Sequence, residues 1–197
     1  PESHRRIMIA DPKSPPEYSK AAKHILGRIV PLAWRRPVAD PEINRLAALV
    51  TRVTSDGGSF QRGIQTALQA VLISPQFLFR LEQDPSQGVR NLDAYELASR
   101  LSYFLWSSTP DEELLAAAKS GKLLQPDEYE RQTRRLLADP RSKSIVDNFA
   151  SQWLQLRNLA NVSPNPRRFP KFTKELRSDM RRETEMLFET ILREDRS

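Results

Sequence analysis

The side chains with the most chemistry to offer fall in two stretches of the chain. Arg100 interrupts an otherwise apolar run from Leu97 to Leu105, and Asp147, Asn148 and Gln152 interrupt a second run. Polar groups on a buried face need partners, so an ion pair between Arg100 and Asp147 across a helix interface is one expectation and a solvated face is the plainer one. Tyr103, Phe104 and Trp106, followed by Ser107 and Ser108, have the composition of a wall for a sugar or haem pocket. At this spacing such aromatics are more often core packing at a helix end. Together with Trp153 these positions give one candidate polar and aromatic pocket, made of Arg100, Tyr103, Trp106, Asp147, Asn148, Gln152 and Trp153. An enzymatic reading requires them to gather in a single cleft.

Other reactive groups are sparse. The chain contains no cysteine, which removes disulfides, thiolate metal ligation, a cysteine nucleophile and a CxxCH haem attachment from these residues. Its two histidines, His4 and His24, are too few for a histidine metal cluster, and a Ser-His-Asp triad is disfavoured with them. Near the C-terminus Glu183, Glu185 and Glu189 stand among Arg177, Arg181, Arg182 and Arg193. Their spacing suits i,i+4 pairs such as Arg181 with Glu185; a glycosidase carboxylate pair needs a cleft that spacing alone does not supply. Met8, Met180 and Met186 are better accounted for as core filling than as axial haem ligands. No catalytic residue, metal site or cofactor site is assigned within this segment.

Six glycines and no GxGxxG or GxxxxGK[ST] string disfavour nucleotide-binding folds. The net charge of +6 is concentrated at one end: residues 1–36 hold eight basic and three acidic residues, while residues 37–165 hold fourteen and fifteen. Lys20, Lys23, Arg28, Arg35 and Arg36 form the densest basic cluster, with Trp34 beside it. It is too short for the continuous stripe that phosphate backbones require, so nucleic acid is disfavoured as a partner. No run of about 18 apolar residues is present, and no membrane span is expected.

The elements that must position these groups are helical. Ala22, Ile25, Leu26, Ile29, Val30 and Ala33 recur at three- and four-residue spacing, in a helix that should bend or stop near Pro31. Asp40-Pro41, Thr109-Pro110, Gln125-Pro126 and Asp139-Pro140 read as helix starts, because proline at the first position gives up only an N–H that would be unpaired anyway. Asp93 followed by Glu96 is a capping box for a helix expected to bury Leu97, Ala98, Leu101, Phe104 and Leu105. Asp56-Gly57-Gly58 turns the chain into a core helix that Ser74-Pro75 halts. Residues 142–156 should bury Ile145, Val146, Phe149, Trp153, Leu154 and Leu156, and a last helix from Thr173 should bury Leu176, Met180, Leu187, Phe188 and Ile191. The expected fold is all-α, with about eight helices in an orthogonal or irregular bundle or in two small helical subdomains. Residues 1–18 read as an extended leader or the tail of a preceding domain, with Ile7, Met8 and Ile9 able to add a short strand. Residues 19–85 form an N-terminal helical module, and 86–197 a second one truncated at its C-terminus.

Five strings run in order along the chain: RRPVADPEINRLAALV, GSFQRGIQTALQAVLISPQFLFRLE, LDAYELASRLSYFLWSSTPDEELLAAAKSGKL, RRLLADPRSKSIVDNFASQWLQLRNL and MRRETEMLFETILREDRS. Over about residues 20–197 they resemble a planctomycete-type, cytochrome-associated family of unknown function with adjacent DUF1595 and DUF1592 domains. The resemblance implies a large exported protein in the periplasm or at the cell surface, haem c in a cytochrome c-like domain elsewhere in the parent, and further domains as partners. Polysaccharide is a further implied partner. It carries no catalytic residues to transfer. It also implies cysteines near the positions of Ala10 and Ala21, which this chain lacks, and more helices beyond Ser197. The resulting expectation is a helical scaffold or interaction module with an exposed apolar patch; the alternatives are part of an enzyme acting on polysaccharide, or coupling its oxidation to electron transfer, and a basic nucleic-acid-binding domain.

Overall fold

In the computed structural model, which describes residues 2–82 and 88–194, every regular element is helical and none is a strand. The helices are α1 (Glu2–Ile7), α2 (Pro15–Trp34), α3 (Asp40–Ser55), α4 (Phe60–Leu72), α5 (Pro75–Leu78), α6 (Ala94–Trp106), α7 (Glu112–Lys119) and α8 (Pro126–Ala138). Then follow α9 (Lys143–Ile145), a π-helical stretch Val146–Ala150, α10 (Ser151–Trp153) and α11 (Lys174–Glu194). Two compact units result. One comprises residues up to Ser99 with Thr109–Ser120; the other comprises Arg100–Ser108 with Gly121–Ser197, so the division falls inside α6.

The first unit is organised around α2, α3 and α4, whose buried faces contribute Ile25, Leu26, Val30, Leu46, Val50 and Ile64 to one core. α3 and α4 approach closely because position 63 is glycine: a Cβ there would meet Val50 Cγ1 at 2.8 Å and the Val50 backbone at 3.1 Å. The leader differs from its expectation. Glu2–Ile7 is helical, and Ile7, Met8, Ile9 and Ala10 lie half-buried against the core. α2 also runs through Pro31 to Trp34, since burial of Val30 and Trp34 on either side holds the last turn in place. Pro31 has no N–H to give to the Gly27 carbonyl, so the helix continues with one ladder bond missing.

Start signals follow the sequence with small shifts. The Asp93–Glu96 box forms in both directions: Asp93 Oδ1 accepts from the Glu96 N–H at 2.8 Å, and Glu96 Oε2 accepts from the Asp93 N–H at 2.8 Å. At α3 only half of such a box exists, because Ala39 has no side-chain acceptor; Glu42 Oε2 accepts from the Ala39 N–H at 3.0 Å. Glu42 is also gripped by both terminal nitrogens of Arg36, at 2.8 and 3.1 Å, which holds its carboxyl down at about 2. α7 begins after Asp111, whose Oδ1 caps Leu114 N–H at 3.0 Å, two residues later than the Thr109-Pro110 signal.

α2 ends at Arg35, which adopts the left-handed conformation with φ 58° and is 4% exposed. Its guanidinium donates to the carbonyls of Ala33 (3.0 Å), Gln76 (2.7 Å) and Phe79 (2.9 Å), with longer contacts to Phe77. These acceptors close α2 and collect the carbonyls at the end of α5. Next to it Trp34 Nε1 donates to Ser74 Oγ at 2.9 Å, and that hydroxyl donates to the Val71 carbonyl at 2.6 Å, closing α4. Arg35→Ala is expected to lower stability by about 3 kcal/mol in urea unfolding, because charged donors to buried carbonyls are lost. Arg35→Lys should recover less than half of that loss, since one ammonium cannot span acceptors arranged for a planar fork.

Candidate interaction surface

In the second unit the C-terminal half of α6 is anchored by Trp106. Its indole is 3% exposed and its Nε1 donates to the Leu136 carbonyl at 2.9 Å, near the end of α8. Two cations flank the ring: the Arg141 guanidinium carbon lies 3.4 Å from the centroid and that of Arg135 lies 5.8 Å away. Both are themselves positioned. Asp139 holds Arg141 through Nε (2.9 Å) and Nη2 (2.8 Å) and also accepts from the Arg141 N–H. Arg135 donates to the buried Gln132, which donates to Glu128 at 3.0 Å. The Arg141 guanidinium holds the Asp139 carboxyl down at about 2, and Arg131, then Gln132, do the same for Glu128. Hydroxyls close the helix ends: Ser144 Oγ donates to the Leu105 carbonyl and Ser142 Oγ to the Leu137 carbonyl, each at 2.8 Å.

The segment from α9 through α10 carries a π turn at Val146–Ala150. A π turn adds a residue to the helical repeat and shifts which side chains face outward. Val146, Ala150 and Ser151 are buried, whereas Phe149 is 44% and Trp153 66% exposed. Phe149 stacks on Trp153 (centroids 5.8 Å apart, 22° between planes) and meets Phe104 edge-on at 5.9 Å. Phe104 is 55% exposed, so these three rings, expected in the core, form an outward ladder instead.

α11 reverses its expected face in the same way. Leu176, Met180, Leu187 and Ile191 are all at least 40% exposed. At 100° per residue they fall within an arc of about 60°. The packed face contains half-buried Arg177, Phe188 and Leu192 and the buried carboxylate Glu185. Arg181 Nε donates to Glu185 Oε1 at 2.6 Å, and the buried Ser151 hydroxyl approaches the same oxygen at 3.5 Å. Arg177 ties the helix to the preceding loop, donating to the carbonyls of Ala160 (3.1 Å) and Val162 (2.6 Å). A buried carboxylate requires these donors, and satisfying it turns the apolar stripe away from the packed side.

The seven candidate residues therefore have different environments. Trp106 is buried and structural, and Tyr103 is half-buried. Asp147 pairs with Lys143 one turn earlier, not with Arg100, which is exposed. Asn148 Nδ2 donates to Ser107 Oγ at 2.8 Å; Gln152 and Trp153 are exposed. Phe104 and Phe149 join Trp153 in a way that only the π turn reveals. Among the described residues no group of three or more His, Cys, Asp or Glu is placed to hold a metal ion, and no helix is long and apolar enough to cross a membrane.

Residues 92–197 match the family described as PSD4, protein of unknown function (DUF1592), and residues 21–82 match that described as PSD5, protein of unknown function (DUF1595). No curated protein and no solved structure matches the chain.

Asp139 titrates below an ordinary aspartate, so its contribution to stability is complete above about pH 4 and disappears as the pH falls toward 2. Near-UV circular dichroism of the Trp106 environment should therefore weaken between about pH 4 and 2. In Asp139→Asn that portion of the pH dependence should be absent, with the signal already reduced at neutral pH.

Proposed function

The chain belongs to the DUF1592 family, with a DUF1595 segment directly before the matched region, and on that premise we propose that it acts as a helical interaction module, docking neighbouring domains of the same polypeptide. The observation that carries this reading is the outward apolar surface of the second unit, made of the Phe104–Phe149–Trp153 ladder and the Leu176–Ile191 stripe. Large aromatic and aliphatic groups held outward by satisfied polar networks are what a docking surface requires. The resemblance to cytochrome-associated exported proteins extends the proposal: one docked neighbour is a cytochrome c-like domain, in the periplasm or at the cell surface. In this reading haem c belongs to that neighbour and the present segment positions it.

A photo-reactive benzoylphenylalanine placed at Trp153 or Leu187 in the full gene product should cross-link to other domains of the same polypeptide, while the same probe at exposed Gln61 should not. Cross-links confined to residues 92–197 would overturn the proposal.

One observation favours a second reading, in which polysaccharide is the partner. Trp153 offers an exposed ring face beside the exposed amide of Gln152, a pairing suited to stacking on a pyranose and hydrogen-bonding its hydroxyls. Titration with soluble cello- and xylo-oligosaccharides should then change tryptophan fluorescence saturably, and Trp153→Ala should abolish the change. A flat titration removes this reading.

A further inference from the structure

The first unit contains a feature that the docking surface does not use. α2 and α7 border an open-sided chamber of about 490 Å³ whose walls are largely apolar, including Leu32, Pro37, Val38, Tyr95, Leu115 and Ala116. That volume lies within the range of pockets for small organic ligands. Pro31 and Val38 also line a second chamber of about 460 Å³, where Lys23, Asp40 and Asn44 supply polar groups. Gly27 opens onto this second chamber: a Cβ there would meet nothing within 4 Å, and the Gly27 carbonyl receives no N–H from Pro31. An apolar chamber thus adjoins a polar one across Pro31 and Val38, within one compact unit.

The charge around them is biased. Arg28, Arg36 and Lys119 line the apolar chamber with a single carboxylate, Glu112. Arg36 is neutralised by Glu42, but Arg28 and Lys119 have no ion-pair partner among the described residues. Both chambers draw lining residues from residues 1–36, where the sequence concentrates a net charge of +5. Burial, and after it the Asp93 carboxylate, push the Tyr95 phenol above its ordinary value.

We propose that the apolar chamber is a binding site for an amphiphile with an aliphatic body and an anionic head, of the class of a medium-chain carboxylate. The aliphatic chain lies along Leu32, Val38 and Leu115, and the carboxylate faces the cations Arg28 and Lys119. Covering part of the aliphatic chain supplies affinity, and the cations select the head group. The site takes α2 from the DUF1595 region and α7 from the DUF1592 region, so it exists only where both lie in one chain. It is independent of the docking reading.

The test is calorimetric titration of the 197-residue chain with dodecanoate and dodecyltrimethylammonium, each below its micellar concentration, and with dodecan-1-ol below its solubility limit. Dodecanoate should bind saturably with one site, at least about tenfold tighter than the alcohol, and the ammonium should bind weakest. Ala116→Trp, at an exposed helix position, should fill the apolar chamber and reduce dodecanoate affinity by about tenfold or more. Arg28→Glu with Lys119→Glu should reduce dodecanoate affinity while leaving dodecan-1-ol unchanged. Trp153→Ala, remote in sequence and on the second unit, should leave all three unchanged. Equal binding of the three amphiphiles, no binding of dodecanoate, or loss of binding in Trp153→Ala in place of the chamber variants would each overturn the proposal.

Discussion

The arrangement of the first unit depends on how α2 ends. Arg35 turns into the left-handed region just after the helix and buries a guanidinium among backbone carbonyls from its own helix end and from the turn after α5. A buried cation is tolerated only when its donors are met, and carbonyl oxygens meet them without adding a second charge. The same interaction therefore terminates one helix, fixes the exit of another and sets where Arg36 and Trp34 point. Arg36 reaches Glu42 at the start of α3, and Trp34 reaches Ser74 at the end of α4. Three consecutive residues tie four helices together, and the close α3–α4 contact at Gly63 completes the core.

The second unit solves a comparable problem with an aromatic ring. Trp106 donates its one N–H to a helix-end carbonyl and has two guanidinium groups near its ring, each held by its own acceptor. α11 packs through a satisfied Glu185 and leaves Leu176, Met180, Met186, Leu187 and Ile191 outward. The outward surface and the polar frame are two sides of one physical choice.

The pair of chambers in the first unit arises from a different constraint. Pro31 is retained inside α2 at the loss of a ladder bond, Gly27 leaves its side open, and α7 approaches from a later part of the chain. Concavity and cations without an ion-pair partner among the described residues then coincide at one place.

Much of the local structure was legible from residue types. The Asp93–Glu96 box, the Asp56-Gly57-Gly58 turn and the Ser74-Pro75 stop follow from hydrogen bonding within a few residues, and the structure contains each of them. The missing cysteines and scarce histidines limited the chemistry in the same local way. What periodicity could not decide was which side of an amphipathic helix would be covered. Leu176, Met180 and Leu187 have the spacing of a core stripe, yet a core stripe needs a neighbour, and spacing says nothing about where neighbours lie. The π turn that moves Phe149 outward, the choice of Lys143 over Arg100 as the partner of Asp147, and the meeting of α2 with α7 all depend on contacts between distant residues. Residue types and their spacing were enough for most of the longer helices and several caps; which faces were buried came from packing, because burial is a property of pairs of elements and not of one.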